Sequence, residues 1–229
     1  MNIIELLEQH FQKNPQKTAV IFKNEKIDFL TLKQRVYKLA QVLKKQGVNK
    51  GDTVGVYLPS RPEYIYSYLA IWCCGATAVP LDYMLTEDEL ISCLSHSEVK
   101  LLLTKNKESV SFEKLKHGVP TLKSILNFYE KTDGCLFVDE FLEFVLDKKL
   151  DTVVDEKSYA IIFYTSGTTG KPKGVLINYQ QLGAPPKSMG FFVDLNEKDI
   201  ILSALPFSHL GGLIYILNML SFGLTMVLM

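Results

Sequence analysis

The densest concentration of reactive groups in the chain is the run Tyr164-Thr165-Ser166-Gly167-Thr168-Thr169-Gly170-Lys171-Pro172-Lys173-Gly174. Its three glycines can take positive φ and bring the backbone close to a ligand. Successive amide N–H groups in such a turn can converge on an anion. The hydroxyls of Thr165, Ser166, Thr168 and Thr169 are donors for phosphate oxygens, and those of Thr168 and Thr169 are candidates to reach a magnesium ion. Lys171 and Lys173 add positive charge. Apolar β-type runs flank the loop, so it is expected to hang between two strands. It is not a Walker A loop, which needs Gly-Lys followed by Ser or Thr and then a helix. Here Pro172 follows Lys171, and Val175-Leu176-Ile177 continues as a strand. The plainer alternative, a polar turn with lysines for solubility, explains the glycines but not so many phosphate-suited groups in one place.

A second constellation is Leu205-Pro206-Phe207-Ser208-His209-Leu210-Gly211-Gly212. It follows a strand-like run and opens a helix-like one, so free N–H groups and the positive end of a helix dipole fall near His209. That setting favours a carboxylate. The competing reading is a capping or core histidine with glycines needed only for packing.

The elements that must position these groups are legible from periodicity. An opening helix has Asn2 as its cap and Ile3, Leu6, Leu7 and Phe11 as its stripe. Runs at 19–22 and 26–29 form a hairpin. Thr31 with Gln34 reads as a capping box for a helix that Gly47 ends in a left-handed conformation. A β-α-β rhythm follows: strands at 53–58, 76–80 and 100–104, a helix opened by Pro62, and another capped by Thr86 with Glu89. Residues 106–155 read as a surface excursion with one short strand at 135–138 and a helix near 140–146. Strands at 159–164, 174–177, 199–205 and 225–229 and a helix over 210–222 complete the chain. Alternation of this kind implies an α/β fold with layered, mostly parallel sheets flanked by helices.

Composition excludes several classes of function. Lys plus Arg and Asp plus Glu balance at 25 each, so no field favours nucleic acid or an anionic membrane. Cys73, Cys74, Cys93 and Cys135 form no CxxC pair, and they read as buried free thiols in a reducing cytoplasm. Trp72-Cys73-Cys74-Gly75 reads as helix end and core, and Asp82 as a cap or turn. Residues 200–229 lack any Asp, Glu, Lys or Arg, yet Pro206, His209, Asn218 and three glycines interrupt them. They are expected to fold as strand, turn, helix and strand, buried on all sides, and not as an integral membrane segment.

The run YTSGTTGKPKGV, with GDTVGVYLPSRPEYIYSYLAIWCCGATAVPLD before it and LPFSHLGGLIY after it, resembles the adenylate-forming superfamily of acyl-CoA synthetases, aryl-CoA ligases, luciferases and peptide-synthetase adenylation domains. The resemblance implies that the loop holds the phosphates of ATP through Thr165, Ser166, Gly167, Thr168, Thr169 and Lys173. It also implies magnesium at Thr168 and Thr169, and a substrate carboxylate beside His209, with Gly211 and Gly212 leaving room for its body. A small carboxylic acid would become an acyl-adenylate and then pass to coenzyme A or, as an alternative acceptor, to an acyl carrier protein. Relatives that activate amino acids carry an aspartate in the His209 segment, whereas no acidic residue follows Asp199 here. An unpaired buried ammonium is costly, so a fatty or aromatic acid is expected. By the same analogy, residues 1–50 with 191–229 form one subdomain and 51–190 another. A C-terminal domain with the remaining catalytic groups is expected beyond Met229, so the chain reads as a truncated portion, inactive alone. A nucleotide-binding paralogue without catalysis is the alternative.

Overall fold

The computed structural model describes residues 3–165, 173–183 and 194–229. The chain runs α1 (Ile3–Lys13), β1 (Thr18–Phe22), β2 (Glu25–Asp28), α2 (Phe29–Lys45), β3 (Thr53–Tyr57), α3 (Pro62–Cys73), β4 (Thr77–Pro80), α4 (Glu87–His96) and β5 (Leu101–Lys105). It continues through α5 (Phe112–Gly118), β6 (Ser124–Phe128), β7 (Leu136–Phe137), α6 (Val138–Leu142), β8 (Tyr159–Thr165), β9 (Lys173–Asn178) and α7 (Tyr179–Leu182). It ends with β10 (Ile200–Ser203), α8 (Leu210–Phe222) and β11 (Thr225–Leu228). Two sheets result, with strand orders β10-β11-β1-β2 and β7-β6-β5-β3-β4-β8-β9. Pairing is parallel except at the β1–β2 and β8–β9 hairpins.

Local chemistry accounts for the element ends. The Asp28 side chain caps α2 by accepting from Thr31 N–H at 2.7 Å, so the helix begins at Phe29 and not at the expected Thr31 box. Gly47 follows that helix with φ +82°, as a left-handed terminator requires. Thr86 and Glu89 close a reciprocal capping box on α4. The expected cap at Asn2 lies outside the described residues.

Helices cover both faces of the larger sheet. On one face α3 is buried along nearly its whole length, and Trp72 anchors it by donating Nε1–H to Ala160 O at 3.1 Å while stacking on Tyr68. On the other, Leu90 and Leu94 of α4 and Leu115 of α5 pack with Val79, Leu102 and Ile125.

Three expectations need correction. Residues 106–155 are not merely a surface excursion, because α5 and a fully paired β6 lie within them. The run Ser124-Ile125-Leu126-Asn127-Phe128 is short and follows a lysine-rich helix, so its apolar signal is diluted in any longer window. The helix expected near 140–146 is α6, which starts at Val138. Residues 200–229 adopt the expected strand, helix and strand, but not buried on all sides: β10 is an edge strand, with Ile200 66% and Leu202 55% exposed. Among the described residues, no helix is long and apolar enough to cross a membrane.

Candidate active site

The chain reverses its direction of travel across the larger sheet after β4. From β3 it moves to β4 through α3 on one face; from β4 it moves back past β3 to β5 through α4 on the other face. The carboxyl ends of β3 and β4 therefore diverge into a crevice, the position at which open α/β sheets bind ligands.

The segment carrying His209 comes from the other sheet and docks at that crevice. Phe207 N–H donates to Ser60 Oγ at 3.1 Å, just after β3, and the Tyr68 hydroxyl of α3 donates to Phe207 O at 2.7 Å. The Phe207 ring, 1% exposed, lies edge-on to Tyr64 at 5.8 Å. His209 is the extended residue before α8, and its N–H bonds Pro206 O at 3.1 Å. Its imidazole Nε2 lies 3.2 Å from Oδ2 of Asp82, two residues past β4. Both side chains remain open to solvent.

Asp82 does serve the expected turn, since its Oδ1 accepts Met84 N–H at 2.9 Å. Its pairing with His209 across the two sheets was not foreseen. The Pro80-Leu81-Asp82 run at the end of a strand was the available signal, but nothing in sequence joins positions 127 residues apart. The Asp82 charge also acts inward. Burial and then Asp82 push the Tyr57 phenol up to about 12, and the same two causes raise Tyr64 well above its ordinary value.

The phosphate-type loop roots at the same edge. Ala78 of β4 pairs with Ile161 of β8, and Asp82 and Thr165 each follow that pair by four residues. Asp82 lies two residues past the end of β4, and Thr165 is the last residue of the neighbouring strand β8. Thr165 and Lys173 form the last pair of the β8–β9 hairpin, both exposed, so hydroxyl and ammonium flank the mouth of the loop. Ser166, Gly167, Thr168, Thr169, Gly170 and Lys171 lie outside the described residues. The flanking strands differ from expectation on one side. Ala160, Ile161 and Phe163 of β8 are buried, but β9 is an edge strand with Val175 48% and Leu176 45% exposed.

The two glycines after His209 have unequal reasons to be glycine. A Cβ on Gly212 would sit 2.1 Å from Pro206 O and 2.8 Å from Phe207 Cα, so the close approach of backbone to backbone excludes any side chain. A Cβ on Gly211 would meet only the end of the Leu205 side chain, at 2.7 Å. Gly212 thus has a packing reason that stands without any ligand.

Comparison with known proteins decides the family, since the profile of AMP-binding enzymes matches residues 7–229. The chain belongs to the AMP-binding enzyme family. A 2-succinylbenzoate–CoA ligase from Bacillus subtilis is 30% identical over 223 residues, which is 97% of this chain and 43% of that protein. The Bacillus licheniformis protein of the same name is 32% identical over 222 residues, again 97% of this chain and 44% of the relative. The chain thus spans less than half the length of these curated relatives. Among solved structures, the Bacillus subtilis o-succinylbenzoate CoA synthetase in complex with its acyl-adenylate intermediate superposes with TM-score 0.81 at 27% identity, over 98% of this chain and 55% of that one. The anthranilate CoA ligase AuaEII in complex with anthranoyl-AMP reaches 0.91 over the whole of this chain and 45% of that one; at 22% identity it shows the fold. The fold class of layered, mostly parallel α/β sheets is therefore that of AMP-binding enzymes.

Proposed function

We propose that this AMP-binding chain carries the triphosphate loop and carboxylate site of an enzyme that activates a carboxylic acid as its acyl-adenylate and passes the acyl group to coenzyme A. The observation that carries the reading is the docking of the His209 segment at the crevice between β3 and β4, on the same sheet whose strands β8 and β9 root the Thr165–Lys173 loop. Such an arrangement brings a carboxylate-suited group and a phosphate-suited loop to one edge of one sheet. The reaction joins two anions, so catalysis is mostly positioning and charge neutralisation. His209 would face the acid, while the Thr165 hydroxyl and the Lys173 ammonium would meet the ATP phosphates together with Ser166, Gly167, Thr168 and Thr169.

Magnesium at a nucleotide site usually keeps several waters and is held by one or two carboxylates besides the phosphates, so the Thr168 and Thr169 hydroxyls would supply part of its donor set. Among the described residues there is no group of three or more His, Cys, Asp and Glu side chains suited to a metal. The ion would neutralise the triphosphate charge.

The acid is aromatic or fatty, and the names of the relatives put aromatic acids first in any panel. The smaller sheet, with residues 1–50 and 191–229, and the larger, with 51–190, would form two subdomains around the crevice, acting in the cytoplasm. The test is carboxylate-dependent exchange of pyrophosphate into ATP by the full-length gene product. Exchange with an acid of the panel, lost in Lys173→Ala and in the paired Thr168→Ala and Thr169→Ala variant, is the expected result. ATP binding without exchange for any acid would sink the ligase reading in favour of a nucleotide-binding paralogue.

A further inference from the structure

We propose that Asp82 is a positioning residue that dictates which nitrogen of His209 carries the proton. The inference rests on the reading of His209 as the group facing the substrate carboxylate.

A carboxylate can only accept, so the His209 nitrogen 3.2 Å from Oδ2 must be the protonated Nε2. Nδ1 is then the ring atom left for a ligand. Toward a substrate carboxylate Nδ1 can donate only when both ring nitrogens carry a proton.

Asp82 is built to hold this relation. Its turn is closed by Leu85 N–H donating to Asp82 O at 3.0 Å. The Tyr57 hydroxyl reaches Tyr83 O at 3.2 Å and Leu85 O at 3.0 Å. Lys107 Nζ donates to Tyr83 O at 2.7 Å and to the Tyr57 hydroxyl at 2.8 Å. With Oδ1 taken by Met84 N–H, only Oδ2 is free to aim at His209. On the other side, Ser60 and Tyr68 hold the backbone at Phe207, two residues before the histidine, and His209 N–H bonds Pro206 O. A bond between two independently fixed supports sets a ring's orientation as well as holding it.

The isosteric change Asp82→Asn separates this role from a structural one. An amide has one accepting oxygen, which the fixed Met84 N–H claims, so the new NH2 turns toward Nε2 and must find a lone pair there. The proton is expected to move to Nδ1. Long-range proton–nitrogen spectra of histidine-labelled full-length protein, at a pH where the ring is neutral, read this directly, with His209 assigned by its loss in His209→Gln. Nε2 protonated in the wild type and Nδ1 protonated in Asp82→Asn is the expected pair of results. Nε2 protonated in both, or Nδ1 in the wild type, overturns the proposal.

A second arm guards against misfolding. Asp82→Ala is expected to lower exchange on the order of 10- to 100-fold, as displaced reacting groups do, and to cause no further loss in a His209→Ala background. Additive losses would show that Asp82 acts through the fold and overturn the proposal. The spectra need no substrate. Absence of exchange in the wild type would therefore defeat the adenylation reading without touching the tautomer result.

Discussion

The hydroxyl of Tyr68 offers the sharpest perturbation of the link between the two sheets. Tyr68 is fully buried, and its only oxygen donates to Phe207 O at 2.7 Å, across 139 residues of sequence. Tyr68→Phe removes that oxygen together with its hydrogen bond to the Tyr64 side chain, while the ring keeps its contacts with Tyr64 at 5.3 Å and Trp72 at 5.2 Å. The Phe207 carbonyl is then left buried without this donor. Stranding a buried acceptor costs about 1–3 kcal/mol, against a total stability of about 5–15 kcal/mol for a typical domain. For a chain of this size the midpoint should fall on the order of 2–12 °C. The same bond holds the backbone two residues before His209, so the KM for the carboxylate should rise more than the KM for ATP. Calorimetry, a urea titration and steady-state exchange measure the three quantities. An unchanged midpoint and unchanged KM would refute the assignment of Tyr68 as the strut between the sheets; a lower midpoint with both KM values unchanged would confine the bond to packing.

The glycine pair should respond in opposite ways. Gly212→Ala forces backbone apart and should cost about 1–3 kcal/mol as overpacking does. Gly211→Ala meets only a movable leucine end and gains up to about 1 kcal/mol of helix propensity, so its urea midpoint should hold or rise; the reverse order would contradict the geometry. The thiols should be slow to react. Burial raises Cys73, lifts Cys74 to about 12 and Cys93 to about 11, so iodoacetamide at pH 8 should modify the half-buried Cys135 first in the folded protein. A folded pKa above the ordinary 9.0 means that the stability these groups contribute is whole below pH 9. It is lost as pH rises through about 11 and 12, so the urea midpoint should decline across that window, and a rise would count against their burial.

Much of the architecture was readable because its causes are local. Pro62 opening α3, the Thr86 and Glu89 box of α4 and the left-handed Gly47 are each decided within a few residues. Where a local signal competed with a nearby one, the reading slipped. Asp28 outbid Thr31 as the cap of α2, because an aspartate just ahead of Phe29 can reach Thr31 N–H and start the helix sooner. The edge character of β9 and β10 was hidden for a different reason. Val175, Leu176, Ile200 and Leu202 are apolar enough to pass for buried strand residues, and an edge is a property of the sheet and not of the strand.

The site itself divides along the same line. The phosphate-suited loop is contiguous, so residue types and spacing suffice to mark it. The crevice is not contiguous: it exists because β5 lies on the far side of β3 from β4, and strand order is written nowhere in the local pattern. That order sends α3 and α4 to opposite faces, parts the chain after Tyr57 from the chain after Pro80, and leaves Ser60 and Asp82 as its two walls. A segment from the second sheet can then enter with a carbonyl for Tyr68, an amide for Ser60 and an imidazole for Asp82. His209 alone is an ambiguous residue that could equally cap a helix. Held against Asp82 in a crevice made by strand order, it becomes a group with a fixed direction, and direction is what the proposed joining of two anions would require.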